Sequence, residues 1–283
     1  MRKVRLSSLL VGQPNLDLAP GWDPEISGLQ FDSRKGEPGN LFFAVPVFLE
    51  DGAKYLSDAF SKGAVAAVVK SGTPLPPELA PRCVEVSDVR ISMAEAANRF
   101  FDFPARKLKL YGITGTKGKT STAYLLESIF QASGKRTAIL GTVECRHPGK
   151  SYPSHHTTRE AIELQQFLAE CVEEKVDVVV MEVSSHALSL HRVAGCQFEG
   201  VLFTNLSPDH MDFYLTMEPY YEAKRMLFLP PYRGANTLVV ALADDPYGRR
   251  LLEECPGKWS SFGHSQGAMK ISESGVSERG AWI

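Results

Sequence analysis

The string Thr114-Gly115-Thr116-Lys117-Gly118-Lys119-Thr120-Ser121 has the residue types and order that hold a phosphate. Glycines let backbone N–H groups converge on one anion. Lys119 would bring a cation to the terminal phosphates, and the Thr120 hydroxyl is a ligand for the Mg²⁺ they carry. Such a loop needs a strand before it and a helix after it. The apolar run 108–113 supplies the strand. The stretch 120–132 supplies the helix, with Leu125, Leu126, Ile129 and Phe130 expected on its buried face. The strict pattern wants glycine at position 113, where this chain has Ile113, flanked by Gly112 and Gly115, so the loop is a variant.

Three more residues could serve the same cation. Glu182 follows the apolar run 176–181 and reads either as a metal ligand at a strand end or as a cap for the next segment. His210 follows the run 200–204, with Asp209 and Asp212 beside it, and is a ligand or a structural histidine. Lys224 falls in the apolar stripe Tyr220, Tyr221, Leu227 and Phe228 of an expected helix over 217–229, with Thr216 as its N-cap. A buried ammonium is costly and its pKa falls. A neutral amine can take up CO₂ to give a carbamate, an anionic oxygen donor suited to Mg²⁺. A cationic Lys224 would instead snorkel to solvent or pair with Glu182 or Asp212. Spacing alone favours the cation.

The elements that position these residues form an α/β pattern. Strands over 108–113, 136–140, 176–181, 200–204 and 237–242 alternate with helices. The helix over 160–174 carries Leu164, Phe167, Leu168, Cys171 and Val172 at helical spacing. That implies a mostly parallel sheet covered on both faces, with ligands at the carboxyl ends of its strands. Before it, strands over 41–45 and 65–69 and helices over 53–62 and 91–101 read as a smaller α/β domain. A linker at 103–106 sets the expected domains at 1–105 and 106–283, the second incomplete at its C-terminal end.

The 283 residues carry 31 Lys and Arg against 33 Asp and Glu, a net charge of −2. That balance argues against a general nucleic-acid or polybasic membrane binder, and leaves room for a local phosphate site. The five cysteines (83, 145, 171, 196 and 255) form no Cys-x-x-Cys pair, so neither a disulfide framework nor a zinc site is expected, and a reducing cytoplasm is. No run approaches the roughly 20 apolar residues of a membrane helix. The first residues lack the long apolar core of a signal peptide.

Together, GITGTKGKTSTAYLLE, HTTREAIELQ, VVVMEVSSHALSLHRV, FTNLSPDHMDFY and EAKRMLF, with DSRKGEPGNLFFAV before them and ALADDPYGRRL after, resemble the Mur ligase family, within it the UDP-N-acetylmuramoyl-tripeptide synthetase type. The resemblance implies an ATP-dependent ligase of peptidoglycan synthesis. Such a ligase adds an amino acid, diaminopimelate or lysine, to UDP-N-acetylmuramoyl-L-alanyl-D-glutamate through an acyl phosphate. It implies ATP contacts at Gly115, Thr116, Lys117, Gly118, Lys119, Thr120 and Ser121. Thr120 and Glu182 would hold one Mg²⁺. His210 and a carbamylated Lys224 would serve a second, which reverses the reading from spacing. For the UDP-sugar it points to Ser33, Phe43 and Ala44 in the first domain and to Thr157, Thr158, Ser184 and Arg192 in the central one.

The chain departs from the family in places. The usual Thr-Thr-Pro reads Thr157-Thr158-Arg159. A loop glycine is replaced within Pro46-Val47-Phe48-Leu49-Glu50, and Leu242 stands where asparagine is usual. His155 and His156 read as loop residues. The family's third domain, which receives the amino acid, is expected to lie outside this chain. A non-catalytic UDP-sugar- and nucleotide-binding module of the same family is the alternative reading.

Overall fold

The computed structural model describes residues 2–13, 18–46, 52–154, 156–255, 259–270, 275–277 and 280–282. The chain forms two compact units: Met1–Pro104 with Glu160–Gln166, and Ala105–Arg159 with Phe167–Ile283.

The first unit is built on four parallel strands, β1 (Gly28–Gln30), β2 (Asn40–Phe43), β3 (Ala66–Lys70) and β4 (Cys83–Val86), lying side by side in chain order. All four residues of β2 are buried, as a parallel strand covered on both faces requires. Helix α1 (Leu56–Ser61) packs Leu56 and Ala59 against Phe42, Ala67 and Val69. The chain enters α1 through a 3₁₀ turn, Gly52–Tyr55. A Cβ on Gly52 would lie 2.6 Å from the Ala44 carbonyl carbon, so the close approach of this turn requires glycine. Helix α2 (Val89–Phe100) starts at Asp88, whose carboxylate accepts from the N–H groups of Arg90 and Ile91.

The second unit contains β5 (Lys109–Thr114), α3 (Lys119–Ala132), β6 (Thr137–Leu140), β7 (Glu144–His147), β8 (Lys150–Pro153), α4 (Ala161–Glu173), β9 (Val178–Glu182), α5 (Ser185–Ser189) and β10 (Phe198–Phe203). Then come α6 (Met211–Tyr214), α7 (Met217–Arg225), β11 (Arg233–Leu242), α8 (Pro246–Glu254), β12 (Trp259–Gly263) and β13 (Met269–Lys270). The first residues of α4, up to Gln166, group with the first unit. The strands form one sheet in the order β8-β7-β6-β9-β5-β10-β11-β12-β13, parallel apart from β7, which runs antiparallel to both β6 and β8.

This order reverses direction at β5. Strands β9 and β6 lie on one side of it and β10 on the other, so the connections diverge at its carboxyl end, where α/β sheets open a ligand crevice. Register brings the strand ends together there: Glu182 pairs with Ile113, and Phe203 with Thr114.

Two expectations need correction. Leu125 and Ile129 are 66% and 65% exposed, and the inner face of α3 instead presents Ala123, Leu126, Glu127 and Phe130. One residue turns a helix by about 100°, so the apolar positions span more arc than the sheet covers. Glu127 can occupy the buried stripe because Arg146 meets its carboxylate with two hydrogen bonds, at 3.0 and 2.7 Å, and the Thr137 hydroxyl donates at 3.0 Å. The helix expected over 217–229 ends at Arg225 and tightens into a 3₁₀ turn, Met226–Phe228. Among the described residues, no helix is long and apolar enough to cross a membrane.

Candidate functional site

The glycine loop joins β5 to α3 as the sequence requires, and Gly118 at φ +83° is the N-cap of α3. It is braced from below by the segment after β10. Asn205 O accepts from Thr116 N–H at 2.9 Å, Asn205 Oδ1 accepts from Lys117 N–H at 3.0 Å, and Thr204 Oγ1 donates to Lys117 O at 2.7 Å. The Thr116 hydroxyl contacts Ser207 O and Tyr220 Oη, each at 3.2 Å. Gly115 has φ +143°, and a Cβ there would stand 1.9 Å from Thr204 Oγ1. Gly115→Ala is therefore expected to destabilise the protein by about 2–3 kcal/mol through strain and overpacking. A urea midpoint within error of wild type would show that the brace yields.

Two lysines converge on this loop. Lys119 Nζ donates to Gly115 O at 2.9 Å and Thr116 O at 3.1 Å. Lys224 Nζ donates to the same Gly115 O at 2.9 Å and lies 4.6 Å from the Tyr220 ring centroid. Lys224 is 1% exposed, so it does not snorkel, and among the described residues no carboxylate pairs with it. Burial first, then repulsion from Lys119, pull the Lys224 pKa from 10.5 down to about 7, against attraction from Asp209. Burial also holds Lys119 below the usual lysine range, with Glu182 and Asp209 opposing. A substantial share of Lys224 is thus a neutral amine at physiological pH, the form that reacts with CO₂.

Glu182 ends β9, 1% exposed, and makes no ion pair among the described residues. Its Oε1 accepts from Thr142 N–H at 2.9 Å, and its Oε2 lies 3.1 Å from the Thr142 hydroxyl. A buried carboxylate held by neutral donors, beside the glycine loop, suits a divalent cation. Among the described residues, no three His, Cys, Asp or Glu side chains converge as a metal cage. Mg²⁺ carried by phosphates needs only one or two protein ligands, so the donor set Thr120 and Glu182 fits.

Behind Glu182 lies a second polar group. Thr158 Oγ1 donates to Glu182 O at 2.9 Å and accepts from Ser184 N–H at 3.1 Å. Ser184 Oγ caps α5 by accepting from Ala187 N–H, and Arg192 Nη1 donates to Thr158 O at 3.1 Å. Thr157 Oγ1 lies 3.1 Å from Thr142 Oγ1. The structure thus gathers Thr157, Thr158, Ser184 and Arg192 into one group. Arg159 lies over the Tyr152 and Phe167 rings at 5.1 and 5.8 Å.

His210 caps α6 in the left-handed region, φ +56°, a conformation that histidine tolerates better than bulkier residues. Its ring meets His186 edge-on, with centroids 4.7 Å apart. Burial, then His210 and Arg192, hold the His186 pKa below its ordinary value, with Asp212 opposing.

In the first unit, Ser33 lines a cavity of about 380 Å³ with Phe31, Asp32, Arg34 and Tyr55. Arg34 makes a two-point pair with Asp32, at 2.9 and 2.8 Å, which keeps that carboxyl below its usual range. Phe43 and Ala44 are buried in the core and do not line this cavity. Residues 47–50 and His155 lie outside the described residues.

Sequence reasoning missed Thr142, Asn205 and His186. Only Asn205 carried a signal, as an amide directly after a strand beside the loop; the other two matter through partners distant in sequence.

The Mur ligase middle domain family matches residues 113–280. The UDP-N-acetylmuramoyl-L-alanyl-D-glutamate–2,6-diaminopimelate ligase of Gloeobacter violaceus is 43% identical over 260 residues, covering 92% of this chain and 52% of the relative. The ligase of the same name from Synechococcus elongatus is 42% identical over 265 residues, 89% of this chain and 52% of its own. This chain therefore spans about half the length of these relatives. A solved ligase of that name superposes with a TM-score of 0.79 at 23% identity, covering 99% of this chain and 59% of that one. Acinetobacter baumannii MurF superposes with a TM-score of 0.65 at 18% identity, over 93% and 56%. The glycine loop and the polar group around Glu182 both lie within the matched residues, and the chain belongs to the Mur ligase family.

Proposed function

We propose that this chain is the UDP-sugar- and ATP-binding part of a cytoplasmic ligase that adds diaminopimelate to UDP-N-acetylmuramoyl-L-alanyl-D-glutamate. The observation that carries the reading is the convergence of Lys119 and Lys224 on one loop carbonyl beside the buried Glu182. Relatives named for this reaction, at 42–43% identity, support the substrates.

In this reading the loop N–H groups and Lys119 hold the β- and γ-phosphates of ATP in line with the substrate carboxylate, which attacks the γ-phosphorus to give an acyl phosphate and ADP. The amine then attacks the acyl carbon and releases phosphate. Lys119 neutralises charge as it passes to the leaving ADP oxygen. Mg²⁺ would neutralise phosphate oxygens from Thr120 and Glu182, with His210 and the Lys224 carbamate serving a second ion. Arg192 and Thr157, Thr158 and Ser184 orient the sugar peptide, Arg192 supplying the two-point contact that anions favour. The Ser33 cavity takes a uridine nucleotide, with Tyr55 and Phe31 as apolar walls.

Calorimetric titration with UDP-N-acetylmuramoyl-L-alanyl-D-glutamate tests the substrate assignment. Saturable binding that weakens at least tenfold in Arg192→Ala, the cost of one charge-assisted hydrogen bond, is expected. A folded wild-type chain that does not bind would overturn it.

A further inference from the structure

His186 has no role in the mechanism above, yet its ring stands where the two halves of the site meet. It is carried by α5, between Glu182 at the end of β9 and Arg192 beyond the helix. From the other side His210 meets the ring edge-on, with centroids 4.7 Å apart, and Phe213 and Tyr214 of α6 lie 4.4 and 5.6 Å from it. Edge-to-face packing fixes the plane of a ring without engaging its nitrogens. His186 is half-buried, and among the described residues neither of its ring nitrogens has a hydrogen-bond partner. Arg192, His210 and Lys224 all disfavour a positive charge on this ring, so residues of both halves lie within electrostatic reach of it. An imidazole keeps at least one N–H in either protonation state, so a donor is always present.

The geometry points to His186 as a further substrate contact, one that donates a hydrogen bond to the carboxylate awaiting phosphorylation. This rests on the functional reading above, in which Arg192 orients the sugar peptide and His210 serves a phosphate-bound cation. In that reading the reacting carboxylate is the part of the sugar peptide that must approach the γ-phosphate, so it lies in the interval between Arg192 and His210. His186 stands beside that interval with an N–H that no protein acceptor occupies. A carboxylate arriving there gains a donor without displacing an existing hydrogen bond. A hydrogen bond to a charged acceptor is worth about 1.5–3 kcal/mol and one to a neutral acceptor about 0.5–1.5 kcal/mol. His186 therefore favours the ionised carboxylate over an uncharged group of the same shape, which makes it a specificity residue for the reacting group.

The test is a calorimetric comparison of two ligands, UDP-N-acetylmuramoyl-L-alanyl-D-glutamate and the analogue in which the reacting carboxylate is a carboxamide. His186→Phe keeps the ring and its packing on His210 and Phe213 and removes only the nitrogens. Wild type should prefer the carboxylate, and that preference should fall about fivefold in His186→Phe, the difference between a charged and a neutral acceptor. His186→Gln, which restores an N–H donor, should regain it. A second measurement uses wild type alone: the His186 ring ¹⁵N resonance, assigned by its loss in His186→Phe, should shift on saturation with the sugar peptide and shift less with the carboxamide. An equal preference in wild type and His186→Phe, or a ring resonance that ignores a bound sugar peptide, would overturn the inference while leaving the functional reading intact. Failure of both ligands to bind wild type would overturn the functional reading and this inference with it.

Discussion

Lys119→Ala should weaken binding of Mg²⁺–ATP by about 100-fold, roughly 2.7 kcal/mol. Lys119 stands at the first turn of α3 with its ammonium turned into the loop, where among the described residues it donates to the carbonyls of Gly115 and Thr116. Those two neutral acceptors are exchanged for phosphate oxygens when a nucleotide arrives, and each hydrogen bond to a charged group is worth about 1.5–3 kcal/mol. Lys119→Arg should not restore affinity, because the larger planar fork does not fit where one point charge sits. Titration with a non-hydrolysable analogue measures the effect. Affinity unchanged in a folded Lys119→Ala protein would remove the loop from the proposed chemistry.

Lys224→Met should make the protein more stable and less able to support its proposed reaction. The folded-state pKa of Lys224 is about 7, against 10.5 for an unperturbed lysine. The unfolded chain thus binds more protons between those values, so stability rises with pH across that window, and the cost of the buried ammonium is fully present below about pH 7. In CO₂-free buffer, the methionine variant should gain about 2–4 kcal/mol at pH 6, the desolvation cost of the ammonium less its hydrogen bond to Gly115 O. That gain should shrink towards pH 10. Urea denaturation at several pH values measures it. A gain independent of pH would mean that Lys224 is an ordinary ammonium in the fold.

The parts legible in the sequence were those written in local pattern. Apolar runs over 108–113 and 176–181 marked central strands, and the glycines and Lys119 marked the loop between strand and helix; the apolar neighbours of Lys224 left its burial undecided. What escaped was settled by partners far along the chain. Glu127 is a poor core residue until Arg146 and Thr137 arrive from β7 and β6. The β7–β8 hairpin turns at Pro148-Gly149, with Gly149 at φ +88°, but its strands lack the alternation that marks a strand edge. Thr142 is a common residue in a common setting, and only the register of β9 beside β6 sets Glu182 within its reach. The Ser33 cavity likewise depends on Tyr55, brought in by the 3₁₀ turn before α1.

The most direct measurement concerns the side chain of Lys224. Intact-mass spectrometry under native conditions in bicarbonate buffer, paired with ¹³C NMR in ¹³C-bicarbonate, reports whether that amine carries CO₂. The account predicts one added CO₂ with a carbamate resonance, both lost on acidification and both absent from Lys224→Met. An unmodified Lys224 in a protein that binds Mg²⁺–ATP would contradict it, and would leave the buried lysine as a plain cation over the Gly115 carbonyl.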